Sequence, residues 1–303
     1  MNSIVWPNNF PNMDAMYELI QKTAKASWRN DDVLTLEEIT QWLNNFTGEV
    51  YSVADEQRLA LWLLCNFTFY NEDEINHLCY VLFQKLIHDL AVHYDINSSH
   101  ELNHIIDRIS FSAMGNASES GGLVLYYFRQ QSHLGIKKFF YPSTLPKEND
   151  GIVVVIDDVT LSGGSATSFL KNNLEAMHFD RAYYLTLFAS QLAIKKMEDM
   201  GIVPIQSTIL GERERCFSED SLIFTGFPEL REITKKMVKS YGKKLYPQYP
   251  LGYKDGQYCF GMHYNTPNNT LPIFWSYNDW TPIFPRKEKI YSDTKRINFE
   301  KYI

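Results

Sequence analysis

Cysteine is scarce in this chain, and its few thiols form no recognisable framework. Four cysteines occur in 303 residues, at Cys65, Cys79, Cys216 and Cys259, and none forms a CxxC pair. This spacing is typical of reduced thiols, so it argues against a disulfide scaffold or a zinc site and predicts a cytoplasmic protein. The N-terminus lacks a basic segment followed by an apolar one, so no signal peptide is expected. No apolar run reaches the roughly 18 residues of a membrane span.

Positive charge is also in deficit. The chain has 29 Lys and Arg against 36 Asp and Glu, which gives a net charge of −7. Direct nucleic-acid binding through a general basic surface is therefore not indicated, although a local basic patch remains compatible with this balance. Internal repeats and low-complexity tracts are absent as well. Aromatic residues, in contrast, are plentiful at 15% and become denser toward the C-terminus.

The pattern of apolar residues divides the chain into regions. The first hundred residues have helical periodicity, whereas strands and helices alternate from about residue 100 onward. We therefore predict an α/β fold, a doubly wound and mainly parallel sheet, with an N-terminal helical domain over 1–98. The second domain spans 99–303 and includes an aromatic C-terminal cap over about 246–303. The apolar faces of the N-terminal helices indicate packing surfaces or the docking site of a protein partner.

Each predicted element has a local pattern that supports it. Strands are expected within Ile105–Met114, Ile136–Tyr141, Val153–Ile156, Ala182–Ala189 and Val203–Leu210. Helices are expected over Asp14–Ala26, after a cap at Thr35, and over Asp55–Tyr70, Glu72–Tyr94, Leu123–Gln131, Ser165–Met177, Gln191–Met200 and Phe227–Lys244. Gly115–Gly122 is expected to be a loop.

The segment Gly151–Leu170, GIVVVIDDVTLSGGSATSFL, carries the strongest chemical signal. Its uninterrupted apolar run predicts a strand buried on both faces. The hydroxyl- and glycine-rich loop that follows would lie between the carboxyl end of that strand and a helix N-terminus, where backbone N–H groups favour a phosphate. Asp157 and Asp158 would repel a phosphate, but they suit vicinal sugar hydroxyls or a Mg²⁺ ion. The residues therefore predict a sugar-phosphate site.

The string VVVIDDVTLSGGS resembles the signature of type I phosphoribosyltransferases, which bind 5-phosphoribosyl 1-pyrophosphate (PRPP). The resemblance implies that Asp157 and Asp158 hold the ribose hydroxyls and take part in binding Mg²⁺. It also implies that the loop holds the 5′-phosphate through Thr160, Ser162, Gly163, Gly164 and Ser165. The family usually has an aliphatic residue where this chain has Thr160, and often a small or polar one at the position of Leu161. Some purine enzymes have an acidic base at that position, so the loop is closer to the orotate-type members.

Further candidates depend on their place relative to the signature. Ser120, Gly121 and Arg129 follow an earlier strand, where the family has its pyrophosphate loop. Lys147 lies where related enzymes carry a mobile loop that delivers a basic residue to the leaving pyrophosphate, so it is a candidate catalytic residue. His263 and Asn268 or Asn269 belong to an aromatic, asparagine-rich stretch that either packs as a rigid cap or lines the pocket of the second substrate.

One motif suggests a different function. The segment His100–His104, HELNH, matches the HExxH pattern in which two histidines bind zinc and a glutamate activates water. A metalloprotease needs these residues on a long helix with an apolar back. Here the motif begins immediately after a polar break and precedes a predicted strand, so a zinc protease is the remote alternative.

The resemblance implies a cytoplasmic enzyme that transfers ribosyl phosphate from PRPP to a nucleophile, with Mg²⁺ and with loss of pyrophosphate. A non-catalytic regulator that binds PRPP or a nucleotide is the main alternative, because some relatives keep the loop without catalysis. The C-terminal region is also similar to that of phosphoribosyltransferase-like effectors of bacterial conflict and antiphage systems. That similarity implies a defence role, with a protein partner on the N-terminal helices. Self-association as a homo-oligomer is a further expectation.

Overall fold

The computed structural model describes residues 4–28, 34–115, 119–146, 151–175 and 177–286. Its α-helices are α1 (Met13–Thr23), α2 (Leu36–Leu43), α3 (Val53–Cys65), α4 (Glu72–His93), α5 (Ser99–Asp107), α6 (Ser120–Ser132), α7 (Gly164–Leu174), α8 (Gln191–Glu198), α9 (Pro228–Leu245) and α10 (Pro272–Trp275). The strands are β1 (Thr68–Tyr70), β2 (Ile109–Ala113), β3 (Phe139–Phe140), β4 (Ile152–Thr160), β5 (Arg181–Ala189), β6 (Val203–Ile209) and β7 (Phe260–Met262).

A five-stranded parallel sheet forms the centre of the described fold. Its order is β3-β2-β4-β5-β6, so β4 lies in the middle and pairs with β2 and β5. Residues 152–156 of β4 are fully buried or nearly so, because helices cover both faces. Alternate residues of β4 face opposite cores: Val154 packs with α4 and α6, whereas Val155 packs with α7 and α8. The predicted α/β fold with a doubly wound parallel sheet is confirmed.

The helices at both chain ends share a second core. Residues of α1, α2 and α3 pack together with α9, α10 and the aromatic C-terminal segment. The rings of Trp42 and Phe274 stack with centroids 5.5 Å apart, and those of Phe67 and Phe284 stack at 4.1 Å. In contrast, α4 packs against the central sheet and α6. The domain boundary near residue 98 stays a prediction, but α4 shares its core with the sheet, not with α1–α3.

Some local predictions differ from the structure. The helix expected over Asp55–Tyr70 ends at Cys65, and the residues that follow form β1, which pairs in parallel with the distant β7. The strand expected over Ile136–Tyr141 is a 3-10 turn followed by the two-residue edge strand β3. Pro142 lies two residues after the end of β3, and a proline disfavours longer pairing. A local sequence pattern shows neither that β1 pairs with a strand about 190 residues away nor that β3 lies at the edge of the sheet.

Candidate functional site

The signature segment occupies the carboxyl end of the central strand, as the sequence predicts. β4 ends at Thr160, Leu161 packs its side chain into the core, and α7 begins at Gly164. Gly163, the last residue before α7, has a φ of +69°, which L side chains rarely adopt. It also lies against α8, since an added Cβ would stand 3.0 Å from Lys196 Cδ. The backbone conformation therefore favours glycine here, and the Ala193 Cα at 3.3 Å from the same position leaves little room for a side chain.

The two aspartates lie at the end of β4 and are buried. One oxygen of Asp157 accepts a hydrogen bond from the Tyr184 hydroxyl at 2.6 Å, and the other accepts from the Asp158 backbone N–H at 2.9 Å. The Asp158 carboxylate accepts from the Val159 N–H at 2.8 Å. Burial raises the pKa of Asp157 well above its usual range, and the neighbouring Asp158 charge adds to this effect. A bound cation or hydroxyl donors would relieve the cost of this buried charge.

The loop at the start of α7 presents donors without a side-chain cap. Gly163 is the N-cap residue and has no side chain to cap the helix, and the Gly164 N–H makes only a long hydrogen bond of 3.5 Å to Ser162 Oγ. The space beside Gly164 is also open. Apart from its chain neighbours and the backbone of α7, the described atoms within 4 Å of the position that a Cβ would take are Ser162 Oγ at 3.8 Å and Lys254 Nζ at 3.6 Å. Uncapped N–H groups, a hydroxyl and an ammonium are the groups that bind a phosphate oxygen.

Asp157 and the loop line one cavity of about 300 Å³, whereas Asp158 and Lys254 are not part of its lining. The strand and loop contribute Asp157 and Val159 to Ala166, and Met114 forms an adjoining wall. The remaining wall comes from the C-terminal segment, through Tyr253, Asn268, Asn269 and Arg286. Arg286 is held in place by a hydrogen bond from its guanidinium to the Thr266 carbonyl at 2.6 Å. The cavity therefore combines an acidic end, a phosphate-type loop and a polar wall with a cation.

Residues 39–286 match the family described as PRTase-CE. The chain belongs to the PRTase-CE family. The signature loop, the parallel sheet and the family together show a phosphoribosyltransferase-like protein. No curated protein matches the chain.

Solved structures with similar folds are distant in sequence. An orotate phosphoribosyltransferase from Aeropyrum pernix is 16% identical with a TM-score of 0.25, and the match covers 33% of this chain and 58% of that enzyme. A hypothetical protein from Neisseria gonorrhoeae with bound ppGpp is 12% identical, with a TM-score of 0.33 and coverage of 48% and 84%. The AQ2163 protein from Aquifex aeolicus is 15% identical, with a TM-score of 0.30 and coverage of 58% and 85%.

Most of the signature residues line the PRTase-CE cavity together. Thr160, Ser162, Gly163, Gly164 and Ser165 form its loop side, and Asn268 and Asn269 reach it from the C-terminal segment. Asp158 is buried beside Asp157 without lining this cavity. Sequence reasoning missed Tyr184, Tyr253, Lys254 and Arg286. A lysine between two glycines in LGYKDGQY was the available signal for Lys254, but nothing in the sequence placed it near the loop.

The structure places the other candidates outside this cavity. His263 lies with its Nε2 atom 3.5 Å from the Tyr127 hydroxyl, and Arg129 lies over the Tyr126 ring at 5.5 Å. Neither contributes to the cavity wall. Lys147 falls outside the described residues, so its proposed loop role stays a prediction.

Ser120 and Gly121 belong to a helix where a loop was expected. Both lie in the first turn of α6, which begins beside the end of β2. An added Cβ on Gly121 would stand 2.4 Å from the Met114 carbonyl oxygen and 3.4 Å from that of Ile156. Gly121 therefore allows α6 to approach the two strand ends, and Met114, which it contacts, forms part of the cavity wall.

The HExxH residues do not form a metal site with other side chains in the described part of the chain. His100 and His104 are exposed on α5, which has nine residues. The Glu101 carboxylate accepts a hydrogen bond from the Asn97 N–H at 2.8 Å and so supports the helix start. No group of three or more metal-ligating side chains occurs among the residues described. Nor is any described helix both long and apolar enough to cross a membrane.

Proposed function

We propose that this PRTase-CE protein binds PRPP in the cavity beside β4. The phosphate of the 5-phosphoribosyl group would accept hydrogen bonds from the loop at Ser162–Ser165, and Asp157, which lines the cavity, would accept them from a ribose hydroxyl. Asp158 is buried beside it and would take part only after its side chain turns toward the cavity. One observation carries this proposal: a buried acid and the N-terminus of a helix without a side-chain cap line the same cavity. Carboxylates accept from hydroxyls, and uncapped N–H groups donate to phosphate, so the two ends of the cavity suit the two ends of a ribose phosphate.

A magnesium ion fits the same residues. Asp157 would supply a hard oxygen ligand from the cavity wall, with Asp158 buried beside it, and the raised pKa of Asp157 supports a site that gains from a nearby cation. Mg²⁺ commonly binds through one or two carboxylates together with substrate phosphates. When bound, it would neutralise charge on the leaving pyrophosphate.

The proposed reaction is transfer of ribosyl phosphate to a nucleophile. The bond between the ribose C1 and the pyrophosphate oxygen breaks, and a bond between C1 and the nucleophile forms. The chain's own contribution is positioning: the loop fixes the phosphate end, the acids fix the ribose, and Tyr184 fixes Asp157. Asn268 and Asn269 line the cavity from the C-terminal segment, which we propose as the side that the acceptor approaches.

Calorimetric titration with PRPP and Mg²⁺, together with a pyrophosphate-release assay across nucleobases and nucleotides, tests this function. We expect binding by the wild type and weakening of about tenfold to a hundredfold in Asp157→Asn, which loses a charged hydrogen-bond acceptor. Asp199→Asn, at an exposed helix end, is the matched control. Absence of PRPP binding by the wild type contradicts the proposal. Binding without pyrophosphate release would favour the regulator.

We further propose that the protein acts as an effector in a bacterial defence system. The N-terminal helices expose large apolar side chains, among them Leu19, Leu36 and Val53, which are 44–49% exposed. Such side chains suit a protein partner that controls a bacterial effector. Co-purification from a host that carries the neighbouring genes, and growth after release of the protein from that partner, test this role. The role is wrong if no component associates with the chain and its release is harmless.

A further inference from the structure

The C-terminal segment brings a lysine to the phosphate-type loop. A short 3-10 turn, Tyr253–Asp255, carries Lys254, whose Nζ lies 3.6 Å from the position that a Gly164 Cβ would take. Ser162 Oγ approaches the same position to 3.8 Å. The Lys254 ammonium and the Ser162 hydroxyl come from segments about 90 residues apart. Both therefore lie close to the same position beside Gly164, at the N-terminus of α7.

The backbone of this turn is in a conformation that non-glycine residues rarely adopt. Lys254, Asp255 and Gln257 have φ angles of +50°, +59° and +59°. Left-handed backbone in non-glycine residues is unfavourable, and it tends to occur where a fold fixes side chains for ligand binding. Three such residues within four positions indicate that tertiary contacts hold this turn in place.

The contacts that hold the turn are close and specific. The Tyr253 N–H donates to the Asn268 carbonyl at 2.7 Å, and the Asn269 side-chain amide donates to the Tyr253 carbonyl at 3.0 Å. Glycine is needed on either side, because a Cβ on Gly252 or Gly256 would stand 2.4 or 2.6 Å from the Asn269 carbonyl oxygen. The turn is thus fixed to the segment that forms the cavity wall.

A second contact holds the turn from outside the cavity. The Arg215 guanidinium donates to the Asp255 carbonyl oxygen at 3.0 Å and to its carboxylate at 3.3 Å. Asp255 is therefore directed toward Arg215 while its neighbour Lys254 faces the loop. Within the described ranges, Lys254 forms no ion pair with a carboxylate, and its ammonium lies 5.6 Å from the centre of the Tyr253 ring. Its positive charge is available to an anion.

We propose that Lys254 is a phosphate ligand, which completes the site that Ser162 and the α7 N-terminus begin. This inference rests on the proposed function and names a residue for it. The anion it would contact is the 5-phosphate of a phosphorylated ribose, because the lysine faces Gly164 in the loop. The aromatic C-terminal segment is then part of the binding site as well as a cap.

Titration of Lys254→Met with PRPP and with ribose 5-phosphate, both with Mg²⁺, tests this assignment. Methionine keeps the length and apolar contacts of the side chain but removes the charge. We expect both ligands, which share the 5-phosphate, to bind about tenfold to a hundredfold more weakly, and by the same factor. The salt dependence of binding should also become shallower than in the wild type, because one charge contact is lost. Lys254→Arg should retain most of the affinity.

Lys239→Met is the matched control, since it removes the same charge from an exposed position on α9. It should leave both affinities unchanged. A loss for PRPP alone would place Lys254 at the pyrophosphate and overturn the assignment, as would unchanged affinities for both ligands. If the wild type binds neither ligand, the proposed function itself fails. The wild-type titration therefore separates the two failures.

Discussion

At the scale of single residues, Asp157 affects both the stability of the ligand-free protein and its proposed binding of a ligand. Its carboxylate is buried, lies beside Asp158 and receives the Tyr184 hydroxyl, and burial raises its pKa well above the usual range. Keeping a charged carboxylate in such a place lowers the stability of the ligand-free protein. A bound cation or sugar would recover that loss. Residues of this kind characterise binding sites, where the ligand-free state is less stable than packing alone would allow.

Asp157→Asn should stabilise the ligand-free protein at neutral pH, because it removes the cost of keeping a buried carboxylate charged. The pKa of Asp157 is raised in the folded state, so the folded protein holds its proton more tightly than the unfolded chain. Wild-type stability should therefore fall as pH rises from the ordinary carboxyl range toward the raised folded pKa. The Asn variant should lack that fall. Urea unfolding between pH 4 and 8 measures it, and equal pH dependence in variant and wild type would contradict the prediction.

Tyr184→Phe should change how binding depends on pH. The Tyr184 hydroxyl donates to Asp157 and lowers its pKa, in opposition to burial. Without the hydroxyl, the pKa of Asp157 should rise further, so binding of PRPP with Mg²⁺ should begin at higher pH. Affinity measured as a function of pH tests this. Tyr183→Phe is the control, because it loses a buried hydroxyl bonded to Asp89 and leaves Asp157 unchanged. Identical profiles for both variants would contradict the proposed role.

At the scale of elements, α7 begins at the cavity, whereas α6 begins beside Met114, which forms part of the cavity wall. Both helices begin beside the ends of parallel strands, and each needs a glycine for a different reason. Gly163 adopts a left-handed conformation before α7, whereas Gly121 lets α6 approach the Met114 carbonyl. The apolar run and the Gly-Gly pair predicted the strand, loop and helix of the signature correctly. The first turn of α6 was read as a loop, because a local pattern of glycine and serine does not show the strand ends against which the helix packs.

Gly121→Ala should destabilise the protein by about 1–3 kcal/mol. An alanine would ordinarily favour a helix over glycine, so destabilisation would indicate the backbone clash at 2.4 Å from Met114 O. The comparison is Gly135→Ala, whose Cβ would meet nothing within 4 Å and whose φ of −65° suits alanine. Thermal or urea unfolding measures both variants. A Gly121 variant as stable as the Gly135 variant would show that α6 shifts without cost.

At the scale of the whole molecule, the N-terminal helices and the C-terminal segment pack into one hydrophobic core. The Trp42 indole N–H donates to the Ile273 carbonyl at 2.7 Å, and the buried Glu56 carboxylate accepts from the backbone N–H groups of residues 48–51. It also accepts from the Tyr241 hydroxyl of α9. The segment that supplies Tyr253, Lys254 and Asn268 is therefore supported by the N-terminal helices. Changes far from the cavity are expected to affect its wall.

Glu56→Gln should reduce the free energy of unfolding by about 2–4 kcal/mol. A glutamine amide keeps the shape, but it replaces one acceptor oxygen with a donor that would face backbone N–H groups. Urea unfolding gives the change, and Glu37→Gln, on the exposed first turn of α2, is the control. A Glu56 variant as stable as the Glu37 variant would show that the loop at 48–51 reorganises without loss.

The local chemistry of the signature segment follows from residues that are contiguous along the chain. The β-branched run, the two acids and the Gly-Gly loop are contiguous, so one strand, one turn and one helix sufficed to place them together. The groups that contact the acids and the loop come from distant parts of the chain and depend on tertiary packing. Parallel pairing of Val155 with Tyr184 puts a hydroxyl under Asp157, and packing of the C-terminal segment on the N-terminal helices brings Lys254 to the loop. Such contacts join residues that are distant along the chain, and no local periodicity encodes them.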